Sequence, residues 1–72
     1  MAEEKSVMGD IGFEAGDIYR EIESAGKKIK ATDLKKSLDL STASVYLALG
    51  WLAREDKVKV YKQGNSVRVE LS

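Results

Sequence analysis

The 72-residue chain has no cysteine, no histidine and no proline. Without thiols or imidazoles it can form no disulfide and no zinc site of the usual ligands, and it lacks every nucleophile–base device that needs either side chain. Its serines and threonines therefore have no histidine to activate them. The carboxylates Glu21 and Glu23 stand two apart on a helical pattern, point in different directions and make no acid–base pair. Gly64-Asn65 is a lone turn and not a phosphate-cradling glycine loop. We expect no enzymatic activity, no cofactor and no metal. Long apolar runs are also missing: none approaches the roughly 20 residues of a membrane span. The opening MAEEKSVMGD is acidic where a secretory leader would be basic and then apolar, which points to a cytoplasmic protein.

What the chain does have is charge, unevenly placed. The formal net charge is zero, yet residues 1–24 hold two cations against seven carboxylates, a net of −5, so the remainder carries +5. The basic residues form two sequence clusters: Lys27, Lys28, Lys30, Lys35 and Lys36, then Lys57, Lys59, Lys62 and Arg68. A bipolar molecule of this kind can offer a basic face to an anionic polymer despite its neutral total. At this length the chain is one domain near the small end of what folds alone, burying only about 60% of its unfolded surface. We expect residues 1–9 to be a flexible lead and residues 10–72 to be the domain.

The organising stretch is Ser41 to Leu71, STASVYLALGWLAREDKVKVYKQGNSVRVEL. Ser41 can cap a helix, its hydroxyl accepting from a first-turn N–H that has no partner within the helix. Val45, Ala48, Leu49, Leu52 and Ala53 then recur at helical spacing as one apolar stripe, and the helix should stop near Asp56 and Lys57. Beyond it the period changes to two. Val58 and Val60 alternate with Lys59 and Tyr61, and after Gly64-Asn65 come Val67, Val69 and Leu71 with Arg68 and Glu70 between them. A two-residue turn with positive φ at Gly64 sets Gln63 against Ser66, Tyr61 against Arg68, Val60 against Val69, Lys59 against Glu70 and Val58 against Leu71. This register predicts a Lys59–Glu70 charge pair and a Tyr61–Arg68 cation–π pair; a slip of one residue would set valine against lysine along the ladder.

Upstream, Ile11, Ala15, Ile18, Ile22 and Ala25 predict a helix from about Asp10 or Gly12 to Ala25, bordered by Tyr19 and stopped by Gly26. Ile29 between lysines predicts a very short strand able to extend the hairpin. Thr32 is placed to cap a helix over Asp33–Leu38, with Leu34 and Leu38 pointing inward. Asp39-Leu40-Ser41 is short enough to join two steeply crossed helices.

Helix, short strand, helix, turn, helix, strand, turn, strand is an α+β order with three helices and a small antiparallel sheet. The segments GFEAGDIYREIESAGKKIKATDLKKSLDL and VYLALGWLARED, the run ALGWLARED above all, resemble those of a family of small prokaryotic winged helix-turn-helix proteins described as being of unknown function. The resemblance spans nearly the whole chain. It implies the winged helix fold and, by analogy with its DNA-binding members, a third helix entering the major groove beside a hairpin wing. Carried over by position, Ser41, Thr42, Ser44 and Tyr46 would face the groove. Lys62, Gln63, Asn65 and Arg68 would lie on the wing, and Lys35 and Lys36 on the adjoining backbone. The expected partner is double-stranded DNA, read with little sequence discrimination, because the first three turns of the third helix hold no arginine, lysine, asparagine or glutamine to read base edges. The alternative is a protein partner or a second copy of the chain, since many winged helices bind proteins. Leu47 and Trp51 stand one turn apart on a largely outward face with Gly50 between them, and Phe13 points outward from the first helix. Trp51 at the edge of the stripe could instead fold back onto the first helix or the sheet as core.

Overall fold

The computed structural model describes residues 8–72 and orders them as α1 (Met8–Ala25), β1 (Ile29–Lys30), α2 (Ala31–Leu38), α3 (Thr42–Arg54), β2 (Val58–Gln63) and β3 (Ser66–Leu71). Of the expected flexible lead, residues 1–7 lie outside the described residues, while Met8 and Gly9 already belong to α1.

Three apolar stripes make the core. Ala15, Ile18 and Ile22 from α1, Ala31 and Leu34 from α2, and Val45, Ala48, Leu49 and Leu52 from α3 are buried together, closed from the sheet side by Val58 and Val69. No polar or charged side chain is buried among the described residues. Burial of a leucine or isoleucine side chain is worth about 1.5–3 kcal/mol, so this cluster supplies the main stabilisation.

The helices begin and end by identifiable local chemistry. α1 starts earlier than expected, at Met8, and carries Gly9, Gly12 and Gly16 in its interior. Trp51 lies over Gly12, 3.8 Å from where a Cβ would stand, so packing against α3 offsets the low helix propensity. Gly26 closes α1 at φ 64, its N–H reaching the Ile22 carbonyl. Thr32 does not cap α2: the helix begins at Ala31 straight out of β1, with Lys30 in the cap position and no side-chain cap bond. Starting there puts Ala31 into the core, and Thr32 is left exposed within the first turn. An aspartate with positive φ follows both α2 and α3: Asp39 at φ 53 is the cap of α2, and Asp56 at φ 58 stands one residue beyond Glu55, the cap of α3. After Asp39, the Leu40 N–H bonds the Lys35 carbonyl at 3.0 Å; after Asp56, the Lys57 N–H bonds the Leu52 carbonyl at 3.0 Å. Aspartate tolerates this conformation better than most residues other than glycine. α3 consequently ends at Arg54, before the expected Asp56.

The hairpin has the predicted register, from Val58↔Leu71 to Gln63↔Ser66. Gly64 has φ 60 while Asn65 is not in the left-handed region, as a type II′ turn requires. β1 adds to β3 antiparallel, Ile29↔Val69 and Lys30↔Arg68, giving the order β1-β3-β2. Along β2 only Val58 is buried; Val60, on the same face, is 43% exposed. β2 therefore leaves the core beyond Val58, while Val67 of β3, nearer the tip, still packs against it.

Candidate nucleic-acid interface

The notch between α2 and α3 is built by the tight turn between them. Asp39 reverses the chain, Leu40 packs against the core and Ser41 starts α3 with its Oγ accepting the Ser44 N–H at 3.1 Å. The Ser41 hydroxyl also donates to Ser44 Oγ at 3.1 Å. Both serines are thus engaged in holding the first turn of α3. Lys35, Thr42 and Tyr46 come together with Ala31, Thr32 and Val45 around a small open cavity of about 60 Å³. Lys35, Lys36, Thr42 and Tyr46 are exposed and free to meet a partner. Base-reading side chains are sparse: the only arginine of α3, Arg54, stands at its last position.

The wing residues do not form one set. Lys62 pairs with Val67 and shares the helix-facing side of the sheet with Val58, Val60 and Val69. Arg68 pairs with Tyr61 and Lys30 on the opposite, outer side. Gln63 and Asn65 are exposed at and beside the tip.

The outer side regroups the basic residues. Lys28 and Lys30, adjacent in sequence to α2, join Lys59 and Arg68 of the hairpin through the β1–β3 pairing, while Lys35 and Lys36 stay on α2. The cation over the Tyr61 ring is Lys28, its Nζ 4.0 Å from the centroid, and not the expected Arg68. The Tyr61 hydroxyl donates to Glu70 Oε1 at 2.8 Å. This bond, together with desolvation and the negative charge of Glu70, raises the Tyr61 pKa above the usual tyrosine value. Glu70 is taken by the tyrosine, and the expected Lys59–Glu70 ion pair does not close; the ion pair formed among the described residues is Arg20–Asp17 within α1. Signals for Lys28 and Lys30 were present only in the register of β1, which two residues cannot specify alone.

The apolar candidates separate as well. Leu47, 52% exposed, and half-buried Trp51 line an open groove of about 540 Å³ with Ile11, Gly50, Arg54 and Glu55. Trp51 also packs against the core and over Gly12. Phe13, 74% exposed on α1, is not part of this groove. Among the described residues no group of three or more carboxylates is placed to hold a metal ion, and no helix is long and apolar enough to cross a membrane.

Comparison with known proteins agrees with this architecture. An uncharacterised protein of Methanocaldococcus jannaschii, MJ1608, is 32% identical over 68 residues, covering 93% of this chain and 97% of that one. A solved structure of HOP2 superposes with a TM-score of 0.75 at 27% identity, over 82% of this chain and 98% of that chain. The adhesin competence repressor AdcR of Streptococcus pyogenes superposes at 0.63 with 22% identity, over 82% of this chain and 44% of that chain. HlyU of Vibrio cholerae does so at 0.65 with 20% identity, over 99% and 82%. These last two likenesses establish the fold alone. Residues 1–71 match the family described as winged helix-turn-helix domain (DUF2582), and the chain belongs to that family.

Proposed function

We propose that the domain binds double-stranded DNA, with α3 in the major groove and the hairpin tip on the backbone, and with little discrimination among base sequences. The observation that carries this reading is the gathering of Lys35, Thr42 and Tyr46 at the open end of the α2–α3 notch, on a helix start fixed by the Ser41 cap. Lys36 extends that surface, and Lys62, Gln63 and Asn65 supply the wing. Ser41 and Ser44 act mainly by holding the first turn. Arg68 faces the other way and is not part of this surface. The likeness to HOP2, whose structure is described in terms of DNA recognition, protein interaction and homologous DNA pairing, supports it. So does the fold shared with a repressor. The scarcity of base-reading side chains argues for phosphate contacts as the main source of affinity.

Titration of duplex binding against salt tests the reading. Contacts with about five phosphates give a log–log slope near −4 to −5, and Lys35→Ala or Lys62→Ala each flattens it by about one. No duplex binding at low salt would sink it.

A protein partner at the Leu47–Trp51 groove is the second reading, favoured by Gly50. A helix-interior glycine costs about 1 kcal/mol against alanine, and among the described residues nothing stands within 4 Å of a Cβ built there. Close approach by another molecule gives the bare backbone a use. A chain that sediments as a monomer throughout the micromolar to millimolar range, and captures no protein, would remove this reading.

A further inference from the structure

The sheet's outer face, turned away from the helices, has the composition of a binding surface. Ile29, Val60 and Val69 share the inner face, Val69 being fully buried, so Lys30, Arg68 and Tyr61 form one row across the outer face and Lys59 and Glu70 the start of the next. Lys28 leans over the Tyr61 ring from the edge. Four cations thus surround one carboxylate, and that carboxylate is already bonded to the Tyr61 hydroxyl. Arg68 stands half-buried in the middle of this row, so the face as a whole favours an anionic partner.

Shape narrows the choice of anion. Three strands span about 10 Å, and among the described residues no helix or loop rises from this face to enter a duplex groove. An aromatic ring bordered by cations on a narrow, even surface is the combination that holds an unpaired strand, with bases stacking on rings and phosphates tracking the positive charge. We propose that the outer face binds single-stranded nucleic acid, with phosphates against Lys30, Lys59 and Arg68 and a base stacked on Tyr61 where the Lys28 ammonium now rests. This goes beyond the duplex reading and uses a different face of the domain.

Fluorescence anisotropy of a labelled oligothymidylate about 15 nucleotides long, titrated with the full chain at low salt, tests it. Replacing Lys30→Glu and Lys59→Glu together should weaken binding roughly tenfold or more and flatten the log–log salt slope by about 1.4, the single-strand value for two phosphates. Tyr61→Leu, which keeps the charge, should weaken it roughly threefold to tenfold at unchanged slope. Lys35→Glu with Lys36→Glu, on α2, should leave strand affinity within about twofold while weakening duplex binding. Circular dichroism checks that each variant is folded. The proposal is overturned if the folded double variant holds oligothymidylate as tightly as the parent, or if the parent does not bind it. Strand failure with duplex binding intact overturns this inference alone, and the reverse result overturns only the duplex reading. It is also overturned if oligothymidylate does not bind while sedimentation shows self-association that Lys30→Glu with Lys59→Glu abolishes; the face would then take the acidic α1 of a second copy.

Discussion

The exposed side of α3 and the outer face of the sheet are both what remains after an amphipathic element has buried its apolar half, yet they have opposite chemistry. α3 leaves Tyr46, Leu47 and Gly50 in solvent, with charge only at its end. The sheet leaves lysines, an arginine, one carboxylate and one tyrosine. A core-facing helix needs an apolar stripe of about three positions in seven, and α3 exceeds that; the surplus has no use inside the domain. Strand alternation is cleaner, and its lysines additionally guard β1 and β2, both edge strands, against pairing with another chain.

The comparison breaks first if the two faces do not share one core. Leu34→Ala removes a fully buried side chain from the common cluster and should cost about 2–5 kcal/mol. Trp51 fluorescence and hydrogen exchange in the hairpin should report the same loss in denaturant melts; a shift in only one of them would mean that the hairpin folds apart from the helices. A smaller effect is expected on the helix side alone from Ser41→Ala, which removes the cap of α3. A loss of about 1 kcal/mol should lower the urea midpoint while strand binding by the outer face is unchanged once the protein is folded. Gly50→Ala works in the opposite direction: with free space at its Cβ, the helix should gain up to about 1 kcal/mol. If the groove docks a partner closely, the same change weakens that association, whereas equal gain with unaltered association would leave α3 as plain surface.

The smallest effect belongs to the sheet. Because Glu70 raises the folded-state pKa of Tyr61, the neutral phenol is favoured by folding. The resulting stability is fully present below the unfolded tyrosine pKa and is lost as pH rises through the folded one. Alkaline thermal melts should show a slight decline that Tyr61→Phe removes, and a parent whose alkaline decline matches that of the variant would contradict the Glu70 bond.

Local patterns were readable wherever a short segment carried its own geometry. The Gly64-Asn65 turn sets the register of the whole hairpin, and Ser41 marks the start of α3, because each depends on backbone and side-chain groups within a few residues. Long-range packing was less legible. Gly12 and Gly16 fit either a late start to α1 or the close approach of another backbone; α1 starts at Met8, ahead of both, and it is the Trp51 side chain that lies over Gly12. Thr32 has the chemistry of a cap, but burial of Ala31 moves the start of α2 forward. Of the candidate contacts, Lys35, Thr42 and Tyr46 were placed together, Lys62 and Arg68 were divided by strand alternation, and Phe13 was separated from Leu47 and Trp51.

By itself, then, the sequence determined the order of elements, the strand pairing of the hairpin and which side of each helix turns inward, since periodicity and turn residues act at short range. Only the tertiary structure decided which cations stand together. β1, two residues long, has no strand preference strong enough to name its partner, and its pairing with β3 moves Lys28 and Lys30 from the neighbourhood of α2 to the side of Arg68 and Tyr61. Charge has no periodicity of its own, so its grouping follows from how the apolar faces pack.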